Sequence, residues 1–308
     1  MRALTIAPRE EKRFLGMLLL VAAITCFTGI DSSAKWLVQT LPPIEVAFVR
    51  YLGHFVIVVV LFLPVYGSAL WKSKAPKREF WRAAMLLGST LFNFTAVQYL
   101  PLATTASIAF TLPLWVCALS IPLLGEKVGL RRWVAIIVGF GGVLIVVRPG
   151  FESFHWAAFL SLGTAVCAGL YMIETRRLAG VDATATQQFY AAMLATVMIA
   201  PFALLQWEWP QTNLDWALFI SIGFWGWLGH QLLTIAYRLA PASTIAPLTY
   251  LQLIPMTLAG YLFFNDRPDI WVFVGAGVVV SSGVYVWYRE RVLARQVKAS
   301  LTNIVPSP

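Results

Sequence analysis

An all-α integral membrane protein of ten transmembrane helices, built as two inverted five-helix repeats, is the fold class this sequence predicts. Three observations predict it. Hydrophobic residues make up 59% of the 308 residues and charged ones only 12%, about half the charged share of a soluble domain. Ten apolar runs divide the chain, each of about 20 residues and so long enough to cross a hydrocarbon core about 30 Å thick. The stretch 99–127 returns as 238–267 at a fixed shift of 140 positions. That shift lays Pro101 on Pro241, Thr104 on Thr244, Ala106 on Ala246, Glu126 on Asp266 and Lys127 on Arg267. Without a gap it also lays Gly29 on Gly169 and Ala96 on Ala236. A duplicated module is the economical explanation.

The runs are continuously apolar and not alternating, so helices are the spanning form. The first covers 14–37 and follows the basic Arg9, Lys12 and Arg13. No small-residue cleavage site succeeds it, so it reads as a helix and not a signal peptide. It carries Asp31 and Lys35, four apart on one face and able to pair. The second, 43–66, opens with Glu45 and Arg50. An isolated charge at the bilayer centre costs roughly 2.5–3.5 kcal/mol on insertion scales, so these four charges require partners or water. Together they form a candidate cluster that holds or breaks in one conformation, with snorkelling to the interface as the competing role for Lys35.

The third run, 80–100, contributes Asn93, Gln98 and Tyr99, and the fourth, 103–124, contributes Thr104, Ser107, Thr111 and Pro113. The fifth is 130–147 and the tenth 270–288. Their glycine groups, Gly139-Phe140-Gly141-Gly142 and Gly275-Ala276-Gly277, read as close-packing surfaces and not nucleotide fingerprints. The sixth run, 155–176, holds Tyr171, with Glu174 placed to meet Arg177. After the seventh, 186–206, comes a loop whose Trp207, Trp209 and Trp216 make an interfacial belt. His230, Gln231 and Tyr237 belong to the eighth, 214–237, and Pro247, Tyr250, Gln252 and Pro255 to the ninth, 242–264. The basic stretch from Arg289 onward reads as a short cytoplasmic helix with a disordered tail.

Proline marks the two echoing segments. Pro113, Pro247 and Pro255 each lack an N–H and obstruct the carbonyl four residues earlier, that of Ala109, Ser243 and Leu251. Such carbonyls are tolerated at membrane depth only where protein or a water-filled cavity satisfies them. Paired, interrupted segments in corresponding halves point to a transport site. The polar and aromatic residues named on the third, fourth, sixth, eighth and ninth runs are the candidate substrate-binding set, against interhelical hydrogen bonding as the alternative for any one of them.

Orientation follows from Lys and Arg. With the N-terminus in the cytoplasm, nineteen of the 23 fall inside, Arg148 and Arg267 fall outside, and Lys35 and Arg50 lie within spans. Both termini are then cytoplasmic. Five helices per copy is an odd number, so the second copy enters the membrane inverted, an arrangement suited to alternating access. The units are a cytoplasmic N-terminus 1–13, repeats at 14–148 and 154–288, and a cytoplasmic tail 289–308.

Other chemistries find little support. Net charge is +9, but its short clusters between apolar runs do not form a nucleic-acid face. Cys26, Cys117 and Cys167 lack metal-ligand spacing, and His54, His155 and His230 are scattered, so neither a metal site nor a cofactor is expected. There is no GxxxxGK[ST], HExxH or GxSxG. With LPLATTASIAFTLPLW…LLGEKVGLRRW and its echo LAPASTIAPLTYLQLIP…FNDRPDIW, the chain resembles the drug/metabolite transporter superfamily, EamA family. The resemblance implies a carrier of the bacterial inner membrane that exports amino acids or related metabolites. It also implies a central cavity lined by the first, third, fourth, sixth, eighth and ninth helices. Within the family the chain looks most like exporters of aromatic amino acids. A multidrug or nucleotide-sugar carrier ranks lower, because only Lys35 and Arg50 supply cations within the spans. A membrane-embedded lipid-modifying enzyme ranks lowest, the acids and histidines being dispersed. The partners are the lipid bilayer and a small solute; oligomeric state is left open.

Overall fold

A computed structural model of the chain describes residues 10–125, 129–148, 154–178, 180–239 and 246–304. Glu126 and Lys127 of the echoing motif lie outside them, as do Pro241 and Thr244. Among the described residues all regular structure is helical, and the chain is a membrane protein. The elements are α1 (Glu10–Leu37), α2 (Pro43–Tyr66), a 3₁₀ turn Gly67–Trp71, α3 (Pro76–Tyr99), α4 (Leu102–Ala109), α5 (Leu112–Leu124) and α6 (Leu130–Val147). There follow α7 (Ala158–Leu178), α8 (Thr184–Leu205), α9 (Asn213–Leu239), a 3₁₀ helix Ala246–Gln252, α10 (Leu253–Phe264) and α11 (Ile270–Ile304).

Seven stretches are long and apolar enough to cross a bilayer, and two shorter apolar helices, Trp133–Val147 and Leu248–Phe264, accompany them. α3 has the length but is charged at its start, by Lys77, Arg78, Glu79 and Arg82, and polar along its course, by Ser89, Thr90, Asn93 and Gln98. Lys77 and Arg78 stay exposed, whereas Glu79, Arg82 and Thr90 are buried and Ser89, Asn93 and Gln98 are half-buried.

Local sequence explains the boundaries. α2, α3 and α5 begin with proline in the first turn, where a missing N–H costs nothing. α5 ends on Gly125 at φ +69°, and α10 ends on Asn265 at φ +53°, the left-handed caps that glycine and asparagine tolerate best. The fourth run is not one helix. It breaks at Phe110 and Thr111, so Pro113 starts α5 instead of kinking a continuous span. The ninth run is likewise a 3₁₀ helix followed by α10, with Pro255 in the first turn of α10 and Pro247 in the 3₁₀ segment. The tenth run continues unbroken to Ile304, because 289–304 contains neither Gly nor Pro and consists largely of good helix formers.

At a shift of 140, α2 falls within one residue of α8, α5 within one residue of α10, and the starts of α6 and α11 coincide. The packing is reciprocal. α1 lies along α9 while α3 lies along α7, and α2 meets α8 as α6 meets α11. Two glycine contacts allow the closest approaches. A Cβ on Gly223 would stand 2.7 Å from the Cα of Gly53, joining α9 to α2. A Cβ on Gly275 would stand 2.6 Å from the Gly142 carbonyl oxygen, joining α11 to α6. Gly141 and Gly277, by contrast, face open space. The main core gathers Ile30, Leu37, Tyr51, Phe94, Ile199 and Ile222 from α1, α2, α3, α8 and α9. Of the three loop tryptophans, Trp209 and Trp216 are exposed, whereas Trp207 packs edge-on against Phe48 and Phe219.

Candidate functional site

A cavity of about 170 Å³ lies where the broken segments meet α1 and α3. Asp31 of α1 and Asn93 of α3 enter it from one side, and Thr105, Ala106 and Ala109 of α4 from another. The break contributes Phe110 and Pro113, the second broken segment Tyr250 and Gln252, and α10 Met256. Asn93 Nδ2 donates to Asp31 Oδ1 at 2.7 Å, and Phe110 meets Tyr250 edge-to-face with centroids 5.2 Å apart. Pro113 has no N–H to give the Ala109 carbonyl, and Ala109 borders the cavity. The site therefore offers a carboxylate, an amide, a backbone carbonyl and aromatic faces, which suits a small solute with an apolar body and a polar head.

One turn along α1 from Asp31, a second group of contacts ties the helices together. Lys35 Nζ donates to the Leu100 carbonyl at 3.0 Å and to Asp266 Oδ2 at 2.8 Å. The same oxygen accepts the Leu102 N–H at 3.3 Å, and the ammonium stands 5.2 Å from the centroid of the Phe264 ring. This latch pins α1 to the start of α4 and the end of α10. At the same end, the Trp36 indole donates to Asp215 at 2.8 Å and Glu45 accepts the Glu208 N–H at 2.9 Å.

On the opposite side of the cavity a column of buried polar groups descends through the bundle. Arg50 Nη1 donates to Thr90 Oγ1 at 3.2 Å, and the Tyr51 hydroxyl bonds both Thr90 and the Leu86 carbonyl. His54 then stacks on His230 with centroids 6.0 Å apart, and Gln188 donates to Gln231 at 3.4 Å. At the far end Arg82 ties α3 to α7 and α8 by donating to Thr175, Tyr171 and the Gln187 carbonyl, and it pairs with Glu79 at 3.4 Å.

The residues expected from sequence are thus divided. Asp31, Asn93, Pro113, Tyr250 and Gln252 converge on the cavity. His230 and Gln231 stand in the column, and Tyr171 receives Arg82. Asp31 and Lys35 do not pair with each other: the first turns to Asn93 and the second to Asp266. Ser107 and Thr111 are fully buried and spend their hydroxyls on the carbonyls of Ala103 and Ile108. Gln98 bonds the Val38 carbonyl. Tyr99 lies at the bundle surface, stacked on His155 at 5.4 Å, and Tyr237 is similarly exposed. Thr104 is outside the cavity lining, which takes its neighbour Thr105 instead. Pro255 stays in its helix turn, away from the lining, and the side chain of Pro247 is outside the described residues. Glu174 does pair with Arg177. Thr105, Phe110 and Met256 were not singled out from sequence, nor were Glu79, Arg82 and the Lys35–Asp266 pairing. Among the described residues no cluster of His, Cys, Asp or Glu is arranged to hold a metal. A larger groove of about 710 Å³ between α6 and α11 is lined by apolar residues such as Val134, Val138, Val274 and Val278 together with Arg131, Ser281, Ser282 and Tyr285, and shares no residue with this cavity.

The chain resembles characterised carriers over most of its length. It is 29% identical over 262 residues to an S-adenosylmethionine uptake transporter of Rickettsia bellii, covering 85% of this chain and 89% of that one. It is 26% identical over 292 residues to a riboflavin transporter of Rhizobium johnstonii, covering 94% and 96%, and 27% identical over 266 residues to a pseudopaline exporter of Pseudomonas aeruginosa, covering 86% and 93%. A crystal structure shares the fold at TM-score 0.61 and 18% identity, covering 88% of this chain and 96% of that one. The model of the EamA-like transporter family matches twice, over residues 14–148 and 155–288. With both halves matched and small-molecule carriers as relatives, the chain belongs to the EamA-like transporter family and is a transporter, not an enzyme.

Proposed function

We propose that this chain is a multi-pass carrier of the bacterial inner membrane that moves small amphipathic solutes through the Asp31–Asn93 cavity. It has ten spans in two inverted copies, 14–148 and 154–288, and both termini are cytoplasmic. The solute enters from the Arg82 end, settles between the copies, and leaves past Lys35 as the copies rock. Export of amino acids, aromatic ones included, is the activity we favour. The observation that carries this reading is a carboxylate and an amide converging on a cavity latched at one end only a turn away. The reciprocal packing of α1 with α9 and α3 with α7 supports the exchange of two near-equivalent arrangements. The basic residues support the orientation, since Lys72, Lys74, Lys77 and Arg78 sit at the Arg82 end. The relatives named above move S-adenosylmethionine, riboflavin and pseudopaline, so planar rings and amino-acid groups are both worth testing.

Purified protein in liposomes, preloaded with unlabelled phenylalanine, tryptophan, S-adenosylmethionine or riboflavin, is expected to show counterflow of at least one labelled solute. Asp31→Asn should abolish it. Absence of counterflow for every amino acid would remove that substrate class, and absence for every solute would refute transport through this cavity.

A further inference from the structure

Three cations are deeply buried among the described residues: Lys35, Arg50 and Arg82. Lys35 has Asp266 and Arg82 has Glu79 within ion-pair distance. Among the described residues Arg50, only 6% exposed, has no carboxylate that close. Its guanidinium donates one bond to Thr90 and lies 4.5 Å from the centroid of the Tyr51 ring, while Nε has no hydrogen-bond partner. A guanidinium carries five donors in a rigid fork, so most of its capacity is unused in a place where unmet charge is costly.

Its position is informative. Thr90 precedes Asn93 by three residues on α3, so the two share a face one turn apart, and Asn93 is the residue that holds Asp31. Asp31 lies within electrostatic range of Arg50 without contacting it. Gly226 of α9 lies beside the guanidinium: a Cβ there would make ordinary van der Waals contact with Nε at 3.7 Å. The fork is also held in place, because Thr90 is fixed in turn by the Tyr51 hydroxyl at 2.7 Å. Arg50 itself stands outside the cavity lining, one turn behind the Asn93 face, so an anion would reach this preset fork, whose geometry favours two parallel hydrogen bonds to a carboxylate, as the copies rock.

We propose that Arg50 anchors the anionic end of the transported solute while Asp31 and Asn93 take its amine, so that the carrier selects zwitterions bearing an α-amino carboxylate. This rests on the transport reading above and adds its polarity: cationic end toward Lys35, carboxylate toward the histidine pair. Neutral or purely cationic analogues lose the Arg50 contact and leave it unpaired.

The test is proteoliposome counterflow with phenylalanine, phenylalaninamide and phenethylamine, run beside S-adenosylmethionine and riboflavin. Wild type is expected to favour phenylalanine over the amide and the amine by roughly ten- to a hundredfold, the range for a hydrogen bond to a charged group. Arg50→Gln should reduce that preference to near parity, and Arg50→Lys should fall between, keeping charge without the fork. Wild type without the preference overturns the assignment, as does R50Q that retains it. Should R50Q fail to remain monodisperse, the wild-type ratio and R50K still decide, since R50K with undiminished preference contradicts a forked contact. Counterflow of riboflavin without any zwitterion defeats the Arg50 assignment and leaves the carrier reading standing, whereas silence from every solute defeats both.

Discussion

Changing Asp266 to Asn should open the Lys35 end of the cavity. The side chain of Lys35 is 9% exposed and that of Asp266 15%, and their 2.8 Å contact is shared with the Leu102 N–H. Asn keeps an acceptor for Leu102 but removes the charge facing the ammonium. Leaving one member of a buried pair uncompensated costs about 3–5 kcal/mol, or roughly two to three and a half powers of ten in an equilibrium. That cost falls only on the arrangement in which the pair is formed, so the balance moves toward the arrangement in which Lys35 reaches water. The readout is labelling of Thr105→Cys by an impermeant maleimide, with Cys26, Cys117 and Cys167 replaced by Ala. D266N should raise the rate from the Lys35 side by about tenfold or more, even if only part of the cost is realised. Lys35→Met paired with Asp266→Leu, which removes both charges, should also open the cavity, with little loss of melting temperature. Unchanged labelling in both would refute the claim that this contact is a latch.

Further outcomes follow from other contacts. Gly223→Val should lower the melting temperature in detergent by an amount matching roughly 1–3 kcal/mol or more, because its Cβ meets the backbone of Gly53 and His54 within 3.0 Å; Gly141→Ala, facing open space, should be neutral or stabilising. Arg82→Gln strands Glu79, which is fully buried, and should cost about 3–5 kcal/mol; adding Glu79→Gln should recover much of that in a double-mutant cycle. Gly283→Ala places a methyl group 1.8 Å from the Tyr250 hydroxyl oxygen, so Tyr250 must swing aside. Transport of bulky aromatic solutes should then show a raised KM while smaller ones change little.

The helices could be read from the chain because membrane burial imposes one condition on every backbone group. Residues 43–66 and 130–147 are both the apolar runs and the helices found. The break at Phe110 and Thr111 was foreshadowed by Pro113, but a proline alone does not distinguish a kink from a fresh start, and here the helix restarts. Within the site, Asn93, Tyr250 and Gln252 were visible as polar residues in apolar context. The sequence points to Thr104 where the cavity takes Thr105, because composition is blind to helical phase and one residue is a rotation of about 100°. Pairings fared according to distance along the chain. Glu174 with Arg177 is a local pair and was legible, whereas Lys35 with Asp266 joins residues 231 apart and outcompetes the i,i+4 partner that spacing suggested. Only the fold decides between them.

The reciprocal packing of first and third helices also sets the order in which the chain can mature. α1 ends at Leu37, and its neighbour α9 begins at Asn213, so about 9–35 s of synthesis separate them at roughly 5–20 residues per second. Throughout that interval the nascent first half sits in the bilayer with Lys35 lacking Asp266 and Arg50 lacking its α9 neighbour Gly226. A helper in the insertion machinery that shields polar residues on unfinished helices would find its client here, and premature release before α9 emerges should send the chain to quality-control proteolysis.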